Sequence, residues 1–302
     1  YWCVPYGIYQ MLLFYRKDLL ADAGIEAPDV WTFENIYEIG KQITDPDKGV
    51  YGFALRGGTR GFNCYDRTLF SYLSNDVWVE NESYRAFTKD GGCVYRLPEA
   101  KEALEFYKHV YEDISPKDSV SWGFTEMVQG FMSGTCAILI QDNDVIATIE
   151  DGLDPELWGV GNIPIGTSGF GTQTAGYGGW AMTAKTQYPE ETAKFIKFLS
   201  NAENNGYFCR QNGLIPIHTT SIEQDEYFSS GAYTIFNKMN DLGCYRIFNN
   251  LGIGYDITAT FNNDRDEYLQ KYLLGEVDAD TLLDYWASQW EKAVADQGKL
   301  WE

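Results

Sequence analysis

The sequence predicts an α/β fold, and three observations carry that reading. Residues 11–14 and 136–140 are short, wholly apolar runs of strand length. Longer segments, clearest over 98–110 and 278–295, place apolar residues at helical spacing. The two kinds of segment alternate along the chain with Gly and Pro between them, which is the pattern of strands and helices layered on one another. At about 150 residues per domain, 302 residues give a prior of two domains.

The opening Tyr1-Trp2-Cys3-Val4-Pro5-Tyr6-Gly7 reads as the end of a strand followed by a turn, and the expectation is that further chain precedes it. Residues 10–15 form a buried strand, broken by Arg16-Lys17-Asp18, with a short helix over 19–23 ended by Gly24. Thr32 caps a second helix whose face carries Phe33, Ile36, Tyr37, Gly40 and Ile43, and Pro46 and Gly49 stop it. Residues 50–55 read as a strand and 56–61 as a flexible loop, whose glycines follow neither GxxxxGK[ST] nor GxGxxG order and so form no nucleotide cradle. Pro98 opens an amphipathic helix with Ala100, Ala103, Leu104, Phe106, Tyr107 and Val110 apolar. A helix over 124–132, closed by Gly134, leads into a buried strand over 136–141. Residues 150–177 are rich in Gly, lack periodicity and read as a long loop or linker. A strand over 178–182, a helix from Pro189 to Leu199 with an acidic first turn, a turn over 211–216 and helices near 234–239 and 278–295 complete the chain.

Composition excludes several functions. With 23 basic and 44 acidic residues the formal net charge is −21, which repels phosphate backbones and anionic lipid headgroups and argues against nucleic-acid binding and membrane docking. No apolar run approaches the ~20 residues of a membrane helix, and no signal-peptide pattern is visible. Six Cys without a CxxC and two distant His, His109 and His218, do not make a zinc framework, and the cysteines read as mostly free and buried. Neither a metal nor another cofactor is expected.

Four segments resemble the extracellular solute-binding proteins of carbohydrate ABC transporters, the maltose-binding-like family 1. Val4-Pro5-Tyr6-Gly7 with Leu13-Phe14-Tyr15-Arg16-Lys17-Asp18-Leu19 is similar to that family's "P-Y … Y-N-K-D-L" crossover, followed by Ala23-Gly24-Ile25 and Trp31-Thr32. Val50-Tyr51-Gly52-Phe53-Ala54 resembles the next strand, and Phe131-Met132-Ser133-Gly134-Thr135-Cys136-Ala137-Ile138 resembles the "F-x-x-G-x-A-A-M" element. Gly178-Gly179-Trp180-Ala181-Met182, the helix behind it and Gly213-Leu214-Ile215-Pro216 resemble the returning element. The resemblance implies a periplasmic-binding-protein type II fold, two-lobed with hinge strands, whose first half of lobe 1 is missing from this chain. It divides the chain into a hinge strand (1–7), a nearly complete lobe 2 (8–172 and 241–302) and an incomplete returning segment of lobe 1 (173–240) that would lack its partner strands. It also implies a non-enzymatic receptor outside the cytoplasmic membrane, extracellular or periplasmic and lipid-anchored through an upstream N-terminus. Its partners would be a sugar or polyol and the transmembrane permease subunits of an ABC importer, with no nucleic acid and no direct membrane insertion.

Sugar recognition needs flat aromatic surfaces for ring faces and carboxylate, amide or Arg groups for hydroxyls, and 16% aromatic residues with an acidic composition meet that need. Positions matching the family's cleft supply the candidates. Tyr6 and Tyr9 stand where the first hinge enters lobe 2, with a core role beside Leu12 and Phe14 as the alternative. Trp180 follows the returning glycines. Arg60, Phe62 and Asp66 fall in the loop after the strand over 50–55. Asp142 and Asp144 follow the strand over 136–141, at its C-terminal mouth. Phe261 and Asn262 are candidates from the C-terminal part, whereas Trp286 and Trp290 share a helical face and read as core. Many relatives place an aromatic ring near 142, and its replacement here by Gln141-Asp142-Asn143-Asp144 favours a small hydroxyl-rich ligand over a long stacked oligosaccharide. The alternatives are a peptide, amino acid or metal ion bound on the same fold and a glycoside hydrolase, for which acidic pairs exist but no motif does.

Overall fold

Val4–Arg16 form one continuous strand, β1, around which the sheet is built. The computed structural model describes residues 3–74, 77, 86–248 and 257–298. After β1 come α1 (Lys17–Asp22), α2 (Phe33–Ile43), β2 (Tyr51–Phe53), α3 (Gly61–Tyr72), α4 (Pro98–Ile114) and α5 (Phe124–Met132). The chain then forms β3 (Cys136–Asp142), α6 (Val145–Gly152), β4 (Trp158–Gly161), β5 (Gly171–Trp180), α7 (Pro189–Leu199) and α8 (Ala202–Gln211). It ends through α9 (Thr219–Gln224), α10 (Thr234–Leu242), β6 (Tyr245–Phe248), α11 (Ile257–Leu273) and α12 (Ala279–Gln297).

The sheet order is β2-β3-β1-β5-β6, with β4 also paired to β1. β1 changes partners along its length. Val4 to Gln10 pair antiparallel with β5, bringing Tyr9 opposite Gly176, and Met11 to Arg16 lie between β3 and β4. Where the ladders hand over, the Gln173 side chain supplies the missing bonds: its Oε1 accepts from the Met11 N–H at 2.7 Å and its Nε2 donates to the Met11 carbonyl at 2.9 Å. The turn expected at Gly7 is instead a register shift between Pro5 and Gly7 within an unbroken strand, because Pro5 has no N–H to place in the ladder.

Two cores flank this sheet. One joins Met11–Phe14, Ile36 and Ile43 of α2, Phe131 of α5, Ala137–Leu139, and Cys209, Leu214, Tyr233 and Met239 from the returning chain. The other is helical and aromatic: Phe62, Tyr65, Tyr95, Phe261, Trp286 and Trp290 interlock among α3, the turn before α4, α11 and α12, with Phe62 edge-on to Trp286 at 4.7 Å between ring centroids. Each such side chain stabilises the fold by about 1.5–3 kcal/mol through burial. Thr32 caps α2 as expected, with Oγ1 accepting from the Asn35 N–H at 3.1 Å and Asn35 reciprocating at 2.9 Å.

Two expectations need correction. Residues 150–177 are not a linker: the end of α6, β4 and the start of β5 lie there, and β4 uses glycines because a Cβ at Gly161 would strike the Trp31 ring. The stretch after the strand over 50–55, which itself narrows to Tyr51–Phe53, is not loop beyond Arg60, because α3 begins at Gly61. The returning segment is paired through β5 and packed through α8 and α10, but α7 buries no residue. Among the described residues, no helix is long and apolar enough to cross a membrane.

Candidate functional site

A cleft of about 550 Å³ opens where β1, β3, β5 and the N-terminal part of α3 meet. Its walls include Tyr9 and Met11 of β1, Gly176 of β5, Asp142 and Asp144 at the end of β3, Phe124 of α5, and Arg56, Arg60, Asn63, Cys64 and Arg67. Four residues singled out from sequence thus come together: Tyr9, Arg60, Asp142 and Asp144.

Asn143 sets the two carboxylates. It is fully buried, its Nδ2 donates to the Gly213 carbonyl at 2.6 Å, and its Oδ1 accepts from the Gln10 N–H at 2.6 Å. This locks the end of β3 to β1 and to the 213–216 turn, so that Asp142 and Asp144 flank a fixed point. Gly213, at φ +65°, suits the turn because a Cβ there would lie 2.6 Å from the Asn143 carbonyl. Burial raises the Asp142 pKa, against the field of Arg67, Arg56 and Arg60, which favours its charged form. Burial, and then the nearby Asp142 charge, raise Asp144 to about 7, and its Oδ1 has no hydrogen-bond partner among the described residues. Near neutral pH this carboxyl can therefore donate or accept a hydrogen bond.

The aromatic side of the cleft is Tyr9, whose hydroxyl lies 3.3 Å from that of Tyr6, together with Phe124. Burial is the main cause of the raised Tyr9 pKa, followed by its bond to Tyr6, so the phenol stays protonated. Tyr6 and Trp180 stand behind this wall: their rings pack at 4.8 Å, and each also packs against Phe208. The Tyr6 ring fits only because Gly178 has no side chain, since a Cβ there would lie 2.1 Å from the ring.

Phe62, Asp66 and Phe261 are corrections. Phe62 and Asp66 are on α3 rather than in a loop, and both are fully buried. Asn63, Cys64 and Arg67 share one face of α3, and that face, with Arg60 just before the helix, lines the cleft. Phe62 and Asp66 fall on the opposite face. Asp66 there accepts from the Tyr95 hydroxyl at 3.0 Å, and burial pushes its pKa up to about 8. Phe261 is 2% exposed and packs on Phe62 and Trp290. The side chain of Asn262 lies outside the described residues. The helical spacing was the available signal for Asn63, Cys64 and Arg67, whereas Arg56 and Phe124 carried none. Trp286 and Trp290 are core, as read. The six cysteines are free, with Cys93, Cys136 and Cys209 buried.

The profile of the bacterial extracellular solute-binding proteins matches residues 1–234. The chain belongs to this family. It is 31% identical over 142 residues to the mannitol-binding protein of Pseudomonas aeruginosa, a stretch covering 46% of this chain and 30% of that protein. Across three curated relatives the matched stretches reach 30%, 44% and 51% of the relatives' length, so the chain spans about half of them or less. Its fold is that of maltose-bound MalE3 from T. maritima, with TM-score 0.78 at 20% identity, over 96% of this chain and 72% of that one. An ABC-transporter solute-binding protein of Agrobacterium vitis with bound D-mannitol superposes with TM-score 0.74 at 20% identity, over 98% of this chain and 73% of that one. The α/β, maltose-binding-like architecture expected from the resemblance is therefore the observed one.

Proposed function

We propose that this protein captures a sugar or polyol in the cleft and delivers it, unchanged, to the membrane permease of an ABC importer. The observation that carries the reading is the cleft itself: Tyr9 and Phe124 offer apolar ring faces, while Asp142, Asp144, Arg56, Arg60 and Arg67 offer acceptors and donors in one space. Membership in an extracellular family supports a site of action outside the cytoplasmic membrane, and the mannitol-binding relative supports a hydroxyl-rich ligand. In this reading residues 1–7 are the hinge, 8–172 and 241–302 form lobe 2, and 173–240 belong to lobe 1. Closure over the ligand excludes water and strengthens each hydrogen bond.

A thermal-shift screen against monosaccharides, disaccharides, polyols, amino acids and metal salts tests this. A sugar or polyol at 100 times its dissociation constant should stabilise the protein by about 2.7 kcal/mol. Asp142→Asn should remove the shift without lowering the melting temperature of the free protein. A shift from amino acids alone would replace the carbohydrate reading.

A further inference from the structure

Three of the chain's nine arginines, Arg56, Arg60 and Arg67, line this one cleft in a protein whose net charge is −21. Among the described residues none of them makes an ion pair within 4.0 Å, whereas Arg16, Arg96 and Arg210 do. Arg56 Nε donates to the Thr59 carbonyl, but Arg67 is only 7% exposed and its Nε has no hydrogen-bond partner among the described residues. A buried guanidinium with an unsatisfied N–H is costly, and three like charges converging on one space add to that cost.

Among the described residues no carboxylate closes on any of the three. Asp142 feels all three fields but lies within 4.0 Å of none. Both oxygens of Asp266 are turned to backbone rather than to a guanidinium, accepting from the N–H groups of Arg60 and Phe62 at 2.8 and 2.9 Å. Those bonds hold Arg60 in a left-handed backbone conformation, φ 67°, that a side-chain-bearing residue rarely adopts. Asp144, sharing the cleft, takes up a proton near neutral pH. The site thus keeps an excess of positive charge, presented by planar forks that match carboxylate and phosphate oxygens in pairs.

We propose that the ligand is an acidic sugar or polyol, a hydroxylated chain carrying a carboxylate or phosphate that sits between Arg56, Arg60 and Arg67 beside Asp142. This rests on the capture reading above and sharpens it. Calorimetric titration with matched compounds tests it: galacturonate against galactose, gluconate against glucitol, and glycerol 3-phosphate against glycerol. The acidic member of at least one pair should bind about tenfold or more tighter than its neutral partner, and added salt should shrink that preference. Preference in the first two pairs identifies a carboxylate; preference in the third identifies a phosphate. Arg56→Gln should erase most of the preference while leaving the melting temperature of the free protein unchanged. Arg56→Lys, which keeps the charge but loses the fork, should restore it only in part. Neutral members binding as tightly as all acidic ones would overturn the proposal and leave sugar capture standing. No binding by any of the six compounds, with a shift from amino acids, would overturn both.

Discussion

Helices α4 and α7 are built alike and end differently. Both begin at a proline, both carry acid in the first turn, and both set apolar residues along one face. In α4 that stripe is covered: Ala100, Ala103, Leu104, Tyr107, Val110, Tyr111 and Ile114 are buried against α3, α2 and α12. In α7 nothing is buried: Phe195 and Phe198 are 59% and 58% exposed, and Met182 and Tyr188 of the preceding segment are exposed as well. An amphipathic pattern therefore states that a face seeks cover without stating which surface supplies it. Stability in this chain is concentrated around the sheet and the aromatic helical core, and the face of α7 contributes little.

The contrast can be broken most forcefully in the helical core. Trp286→Ala removes a fully buried ring that touches Phe62, Tyr65 and Tyr95, and should cost about 3–5 kcal/mol by urea denaturation. Asn143→Ala should come next, at about 1–3 kcal/mol, because it leaves the Gln10 N–H and the Gly213 carbonyl without their partner. A loss below about 0.5 kcal/mol for either would show that the core is less decisive than its burial implies.

Asp66 makes the helical core sensitive to pH. Its carboxyl is raised from 3.8 to about 8, so the folded chain holds a proton that the unfolded chain releases between those values. Its contribution is full below pH 3.8 and is lost as pH rises through about 8. Asp66→Asn should flatten that decline in a pH series of melting temperatures, and an unchanged slope would refute the assignment. At the small end, Arg96→Ala breaks the exposed pairs with Asp284 and Glu291 and should cost about 0.2–1 kcal/mol. Phe198→Ser on α7 should cost less than about 0.5 kcal/mol while improving solubility. A cost near that of Trp286→Ala would mean that α7 is covered in solution.

Much of this architecture was legible in the sequence because periodicity and caps are local. The Thr32 cap, the Pro98 helix, the strand from Cys136 and the Trp286/Trp290 face needed no tertiary information. The strands near 160 and 172 escaped because their glycines, placed to admit Trp31 and Tyr245, look like loop punctuation. In the cleft, Tyr9, Arg60, Asp142 and Asp144 were reachable from motif order. Phe62 and Asp66 fall on the buried face of α3 and Arg67 on its cleft face, a division that only the helical period of that segment reveals. Arg56 could not be found from spacing at all, since it reaches the cleft from the segment preceding α3.

The most direct test of the central claim is equilibrium dialysis of the protein with a hydroxylated-ligand library, followed by mass spectrometry of what is retained and of what returns. The protein should retain one sugar or polyol class saturably, release it chemically unchanged, and lose this retention in Asp142→Asn. Retention of no such compound, or recovery of a cleaved or modified product, would contradict it.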